Sequence, residues 1–169
     1  NEGRIIMNKF IVTTTINQPT GVIQKHAEKG DWTVIVSGDL KTPHEQYEGI
    51  DNLIYLSPED QEKKWKKLSD LIGWKCIQRR NFSILEAYER GADVIAIIDD
   101  DNIPKDNWGK NLSISSNDKV EVLNYELDIP VFDPLGAVGC DEFKDKLWHR
   151  GFPLELLPDR KYDNFKTDL

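Results

Sequence analysis

The chain has 169 residues, with 22 Lys and Arg against 30 Asp and Glu and a formal net charge of −8, a length that suits one domain, since the mode is roughly 100–150 residues. Its 38% hydrophobic and 31% charged residues describe a real core under a solvated surface, which argues against disordered, collagen-like and membrane-spanning classes. An acidic balance, with a pI near 4.9, argues against a general grip on nucleic acid, because phosphate backbones need a basic face.

Residues 1–6 precede Met7 and are read as an expression scar or a frayed start, so the expected domain is a single one over 7–169. Phe10 to Ile16 is apolar and β-branched and predicts a buried strand with a polar, threonine-rich end. Thr20 is placed to cap a short helix through Val22, Ile23 and Ala27 that Gly30 closes. Trp32 to Ser37 predicts a second buried strand, and Asn52 to Leu56 a third. Ser57 and Pro58 then have the N-cap and first-turn character of a helix start. From Gln78 to Arg90, Phe82, Leu85 and Tyr88 recur at spacing three with Ala87 on the same side, predicting an amphipathic helix ended by Gly91. Val94 to Ile98 is a continuous apolar run of the kind buried on both sheet faces, and it leads straight into Asp99, Asp100, Asp101 and Asn102. Val120 to Leu123 is a further strand candidate, and Asp128 to Gly139 is rich in Pro and Gly.

Alternating strands and helices predict an α/β layer structure with a mostly parallel sheet and right-handed crossovers. Ligands of such sheets gather outside the carboxyl ends of the strands. Three polar segments fall there: Thr13 to Asn17, Gly38 to Thr42, and Asp99 to Asn102. Cys76 and Cys140 are isolated, which fits a reducing compartment and gives no zinc pattern.

Three aspartates in succession after an apolar strand repel one another unless a positive partner compensates. Mg²⁺ or Mn²⁺, held by one or two carboxylates with water and phosphate oxygens, is such a partner. In an extended segment Asp99 and Asp101 project to one side, where they can share an ion, and Asp100 projects to the other. The competing reading is a solvated acidic turn. Arg79 and Arg80 open a helix, where cations oppose the macrodipole unless an anion such as a diphosphate lies nearby; the competing reading is a surface pair bridged to acidic residues. In the second segment, Asp39 is a candidate acceptor from a base N–H and Lys41 a candidate phosphate contact, while Gly, Asp and Pro also suit a plain turn. Near the end, His149 is a candidate metal ligand or base, Arg150 a phosphate clamp and Glu155 a carboxylate near the acceptor. His26 and His44 read as surface residues, Trp32, Trp65 and Trp74 as packing aromatics, and Trp108 and Trp148 as stacking candidates. No Walker or dinucleotide glycine fingerprint is present.

The Asp-X-Asp after a buried strand resembles nucleotide-sugar glycosyltransferases of the GT-A fold. More closely, IVTTTINQPT (Ile11 to Thr20), VIVSGDLKTP (Val34 to Pro43), RRNFSILEAYERGADVIAIIDDDN (Arg79 to Asn102) and HRGFPLELL (His149 to Leu157) resemble, in order and spacing, the STELLO-type glycosyltransferase family. The aspartate triplet is also similar to that of the reversibly glycosylated polypeptides, plant sugar mutases. The resemblance implies a GT-A-like, Rossmann-like three-layer sandwich that transfers a sugar from a nucleotide-diphosphate donor, expected to be UDP-linked, to a glycan or other hydroxyl acceptor. It implies a base near Thr13, Thr14 and Asp39, and Arg80 facing ribose or diphosphate. Lys41, Arg79, Asp100 and Arg150 are further donor contacts. Asp99 and Asp101 would meet ribose and a Mn²⁺ or Mg²⁺ ion, with His149 as a late metal ligand. Inversion needs a carboxylate base, for which Asp133, Asp141 and Glu155 are candidates.

The chain is short for such a transferase. It is expected to be either a minimal enzyme or a nucleotide-sugar-binding part without its acceptor region, and to be cytoplasmic, having no anchor-like run. Two rivals accompany the transferase: a non-catalytic nucleotide-sugar-binding or partner module of a larger glycosyltransferase, and a phosphoryl- or nucleotidyl-transferring enzyme that uses the same acidic cluster.

Overall fold

The computed structural model describes residues 7–109, 131, 133 and 148–159. The chain divides into two compact units, Asn1–Ile114 and Ser115–Leu169. The first contains a sheet of four parallel strands, β1 (Lys9–Thr15), β2 (Thr33–Gly38), β3 (Leu53–Leu56) and β4 (Val94–Ile97), in the spatial order β3-β2-β1-β4. An α/β fold with a parallel sheet is what the sequence predicts.

Alternation along the strands divides the core into two layers. Ile11, Val34 and Val36 face one side and pack with Ile23 and Ala27 of helix α1 (Gly21–Glu28) and with Trp32. Phe10, Val12, Ile35 and Leu56 face the other and pack with Phe82 and Ala87 of α3 (Arg80–Glu89), joined by Leu68 and Ile72 of α2 (Pro58–Ile72). Each fully buried Val or Ile contributes about 1.5–3 kcal/mol, so this alternation, more than helix propensity, fixes the register. The crossover through α1 steps from β1 to β2, whereas that through α2 and α3 steps back from β3 past both to β4. Movement in opposite directions on opposite faces is what right-handed crossovers require. It leaves a topological switch point between β1 and β4.

The helix starts follow their local chemistry. The Thr20 side chain accepts from the Ile23 N–H. Ser57 and Asp60 form a reciprocal capping box with Pro58 in the first turn of α2. Gln61, one turn on and fully buried, donates from Nε2 to the carbonyls of Gly38 and Leu56 at 2.8 Å each, tying α2 to the carboxyl ends of β2 and β3.

Several sequence expectations are corrected. The inward face of α3 is Phe82, Ser83, Glu86 and Ala87, while Tyr88 is 75% exposed. A stripe at strict spacing three drifts off a helix of 3.6 residues per turn, and Ser83 turns inward because its hydroxyl bonds Ser37 Oγ (2.6 Å) and the Thr13 carbonyl (2.9 Å). β4 is not buried on both faces: it pairs only with β1 among the described residues, its side chains are half-buried, and Ile97 is exposed. His26 is a core residue, fully buried on α1. His44 is half-buried, its Nδ1 2.6 Å from Tyr55 Oη. Trp108, half-buried, packs against Trp32 and His26, with ring centroids 5.3 and 4.8 Å away, and also lines a cavity of about 500 Å³ along β4. Trp32, Trp65 and Trp74 do pack, as expected.

In the second unit, the described residues include a 3-10 segment, Leu154–Asp159, and a buried Phe152. The strand candidate at Val120 to Leu123, as well as Cys140, lie outside the described residues. Among the described residues, no helix is long and apolar enough to cross a membrane.

Candidate functional site

All three polar strand ends gather at the carboxyl edge of the sheet. Thr14 to Asn17 at the end of β1, Asp39 after β2 and Asp100 after β4, together with Lys75 to Ile77 from the turn between α2 and α3, line a cleft of about 260 Å³. Its position at the end of β1, beside β4, is the switch point where open α/β sheets bind ligands.

Asp100 anchors one wall. Its Oδ2 accepts from Thr15 Oγ1 at 2.5 Å and from Asn17 Nδ2 at 3.0 Å, and its carbonyl accepts from Thr20 Oγ1 at 2.9 Å. The middle aspartate is thus clasped by the loop from β1 to α1. Asp99 accepts from Arg80 Nη1 at 3.0 Å, and the same nitrogen reaches the Ile98 carbonyl at 3.5 Å. Asp101 Oδ1 accepts only from Asn102 Nδ2, at 3.2 Å, among the bonds of the described residues.

Asp39 builds the opposite wall. It is buried, and its two carboxylate oxygens accept from the Leu40 N–H at 2.6 Å and the Lys75 N–H at 2.7 Å. Its own N–H donates to Thr42 Oγ1 at 2.8 Å, and that hydroxyl donates to the Thr15 carbonyl at 2.7 Å. Lys75 is held at a φ of 62°, a left-handed conformation that costs a non-glycine residue free energy. The bond from its N–H to Asp39 helps maintain it. Each Asp39 oxygen keeps a lone pair, so acceptance from a ligand N–H stays open.

The two adjacent arginines divide the work. Arg80 is half-buried beside the acidic loop, paired with Asp99. Arg79 is not available to a phosphate as the sequence suggested: it is fully buried, bonded to Gln61 Oε1 (2.9 Å), Ser69 Oγ (3.0 Å) and the Gly73 carbonyl (3.2 Å). Its guanidinium lies 3.5 Å from the centroid of Trp74 and 4.3 Å from that of Phe82. Burial pushes this group down from its ordinary pKa, and the charge of Asp39 is the largest influence the other way. The helix start that presents Arg80 to solvent turns the preceding residue into the core.

Thr13 is also turned inward, 1% exposed, so Thr14 and Thr15, not Thr13, line the cleft. Lys41 is exposed on its turn and is not part of the lining. In the second unit, Asp133 is buried and accepts the His149 N–H at 3.2 Å, while His149, Arg150 and Glu155 are exposed. Asp141 lies outside the described residues. Of the two base candidates within them, Glu155 is the solvent-facing carboxylate.

No group of three or more His, Cys, Asp or Glu side chains able to hold a metal converges among the described residues. The exposed carboxylates of Asp99 and Asp101 are oxygen donors on one loop. That set suits Mg²⁺ or Mn²⁺ shared with phosphate oxygens and water, and does not suit a protein cage.

Sequence reasoning missed Lys75, Cys76 and Ile77, which carry no motif and arrive through an inter-helix turn. Asn102 falls in the polar segment that the sequence singles out but is given no role there; its side chain binds both Asp99 and Asp101. Asn102 was legible as the polar residue ending the acidic run. Against known proteins, the chain matches no family model and no curated sequence.

Proposed function

We propose that this protein is a GT-A-like, metal-dependent glycosyltransferase that binds a nucleoside diphosphate sugar, UDP-linked by expectation, at the carboxyl edge of its sheet and transfers the sugar to a hydroxyl acceptor. One observation carries the reading: the strand ends of β1, β2 and β4 meet in a single cleft at the switch point, with Asp100 in its lining, while Asp99, paired with Arg80, and Asp101 adjoin Asp100 in the loop without lining the cleft themselves.

The residues divide by what they can do. Thr14, Asn17 and Asp39 offer polar groups to a base and ribose, and Lys75 supplies a cation at the rim. Arg80, already paired with Asp99, is in reach to exchange part of that pairing for a diphosphate oxygen, a charge-assisted bond of the stronger kind. Asp99 and Asp101 are the residues that would hold Mn²⁺ or Mg²⁺. When bound, the ion would neutralise the charge that grows on the departing nucleoside diphosphate. Asp100, held through Oδ2 by Thr15 and Asn17, orients the loop and keeps its Oδ1 toward the donor.

The test is release of nucleoside diphosphate from UDP- and GDP-sugars in Mn²⁺. Slow release that EDTA stops and that Asp101→Ala abolishes supports the transferase. Release of pyrophosphate from nucleoside triphosphates instead would assign the cluster to nucleotidyl transfer, and no turnover of any sugar nucleotide would contradict the proposal.

A further inference from the structure

Asn102 is the hub of the acidic loop. Its N–H donates to the Asp99 carbonyl at 3.2 Å, its Oδ1 accepts the Asp99 N–H at 3.1 Å, and its Nδ2 donates to Asp101 Oδ1 at 3.2 Å. One side chain therefore touches the main chain of the first aspartate and the carboxylate of the third. The remaining main-chain group of Asn102, its carbonyl, lies 3.2 Å from Nε2 of His26.

His26 is an unusual choice for that contact. It stands on the inward face of α1 with Ile23 and Ala27, is 0% exposed, and packs edge-on against Trp108. An apolar ring would fill this space without carrying polar nitrogens out of water, which is costly unless each is paired. A carbonyl can only accept, so Nε2 carries the hydrogen. Nδ1 is left without a partner among the described residues, and burial favours the neutral ring. What the imidazole adds over an apolar residue is a single N–H directed at the loop that holds the aspartates.

We infer that His26 and Asn102 are positioning residues of the nucleotide–metal site: His26 fixes Asn102 from beneath, and Asn102 sets the orientation of Asp99 and Asp101. The inference rests on the proposed function. Neither residue touches the donor; both act through the aspartates. Loss of either link lets the Asp101 carboxylate sample other rotamers, so the ion and diphosphate must reorder it on binding.

The experiment is titration calorimetry of the full chain with UDP, in Mn²⁺ and in EDTA, with the ligand-free melting temperature measured for each variant. Asn102→Ala, at an exposed position, is expected to melt close to the wild type and to bind UDP about fivefold more weakly in Mn²⁺, the factor that one ordinary hydrogen bond represents. Its affinity in EDTA is expected to be unchanged. His26→Phe keeps the ring volume and is expected to show the same metal-dependent loss. His26→Gln, whose Nε2 can donate to the same carbonyl, is expected to recover most of it. If His26→Phe does not fold, Asn102→Ala and His26→Gln still decide the matter. Wild-type affinity in Asn102→Ala, alongside lost binding in Asp101→Ala, would overturn the positioning role and leave the site intact. Absence of Mn²⁺-dependent UDP binding in the wild type would overturn the site, and this role with it.

Discussion

Replacing Arg79 is expected to destabilise the fold without touching the ligand, and replacing Arg80 to do the reverse, although the two are neighbours in sequence. Arg79→Ala deprives buried Gln61 Oε1 and Ser69 Oγ of their donor, leaves the half-buried Gly73 carbonyl with the Cys76 thiol alone, and removes the guanidinium that packs against Trp74 and Phe82. Unpaired buried groups cost about 1–3 kcal/mol each, and the lost cation–π contact adds about 1–2 kcal/mol. Removing a charge from the interior returns part of its desolvation cost. The net expectation is a loss of about 3 kcal/mol, which for a chain of this size lowers the melting temperature by roughly 6–12 °C. Arg79→Lys keeps the charge but not the planar fork, and is not expected to rescue stability. By contrast Arg80 makes one ion pair to an Asp99 side chain that is 63% exposed, worth about 0.5 kcal/mol. Its loss should appear in nucleotide affinity. Urea denaturation with and without UDP and Mn²⁺ separates the two effects. An Arg79→Ala variant with wild-type stability and lost nucleotide binding would refute the assignment.

Gly38→Ala places a Cβ 1.9 Å from Tyr55 Oη and 2.6 Å from its Cζ; that ring is stacked on Tyr47 and bonded to His44, so it cannot simply withdraw. A loss of about 1–3 kcal/mol in urea denaturation is expected, and an unchanged midpoint would show that the ring moves freely. Thr15→Val removes the hydroxyl that donates to Asp100 and accepts the Asn17 N–H, and should cost about 1–2 kcal/mol, together with weaker Mn²⁺–UDP binding by calorimetry. His26 gives a pH signature. Its folded pKa lies below the ordinary 6.5 because of burial, so as pH falls below that value the unfolded chain takes up a proton that the native ring resists. Stability should therefore fall with pH below about 6.5, and the slope should flatten in His26→Gln; equal slopes would show that His26 is accessible to protons in the fold.

The sheet was legible because strand burial is written as β-branched runs: Phe10 to Ile16 and Trp32 to Ser37 overlap β1 and β2 closely, and Thr20 and Ser57 mark their helix starts by capping chemistry. The site was legible where it follows from the strand ends, since Thr14, Asp39 and Asp100 line the cleft. It was not legible where a one-residue rotation decides the role. Arg79 and Arg80 look alike in sequence, yet one points into the core and the other toward the acidic loop. His26 looked like a surface residue because α1 carries Lys25 and Glu28 beside it; only the packing of Trp108 and the carbonyl of Asn102 gives it a buried place. Lys75 was hidden because its position depends on a long-range bond to Asp39, 36 residues away in sequence.

The most direct test of the central claim is a thermal-shift titration with UDP and GDP in Mn²⁺ and in EDTA, on the wild type and Asp101→Ala. A ligand that binds the native state raises its melting temperature by mass action, by about 2.7 kcal/mol of added stability at a hundredfold excess over Kd. A nucleotide site shared with a metal predicts a shift that needs Mn²⁺ and disappears in Asp101→Ala. A shift equal in EDTA, or none with either nucleotide, would contradict it.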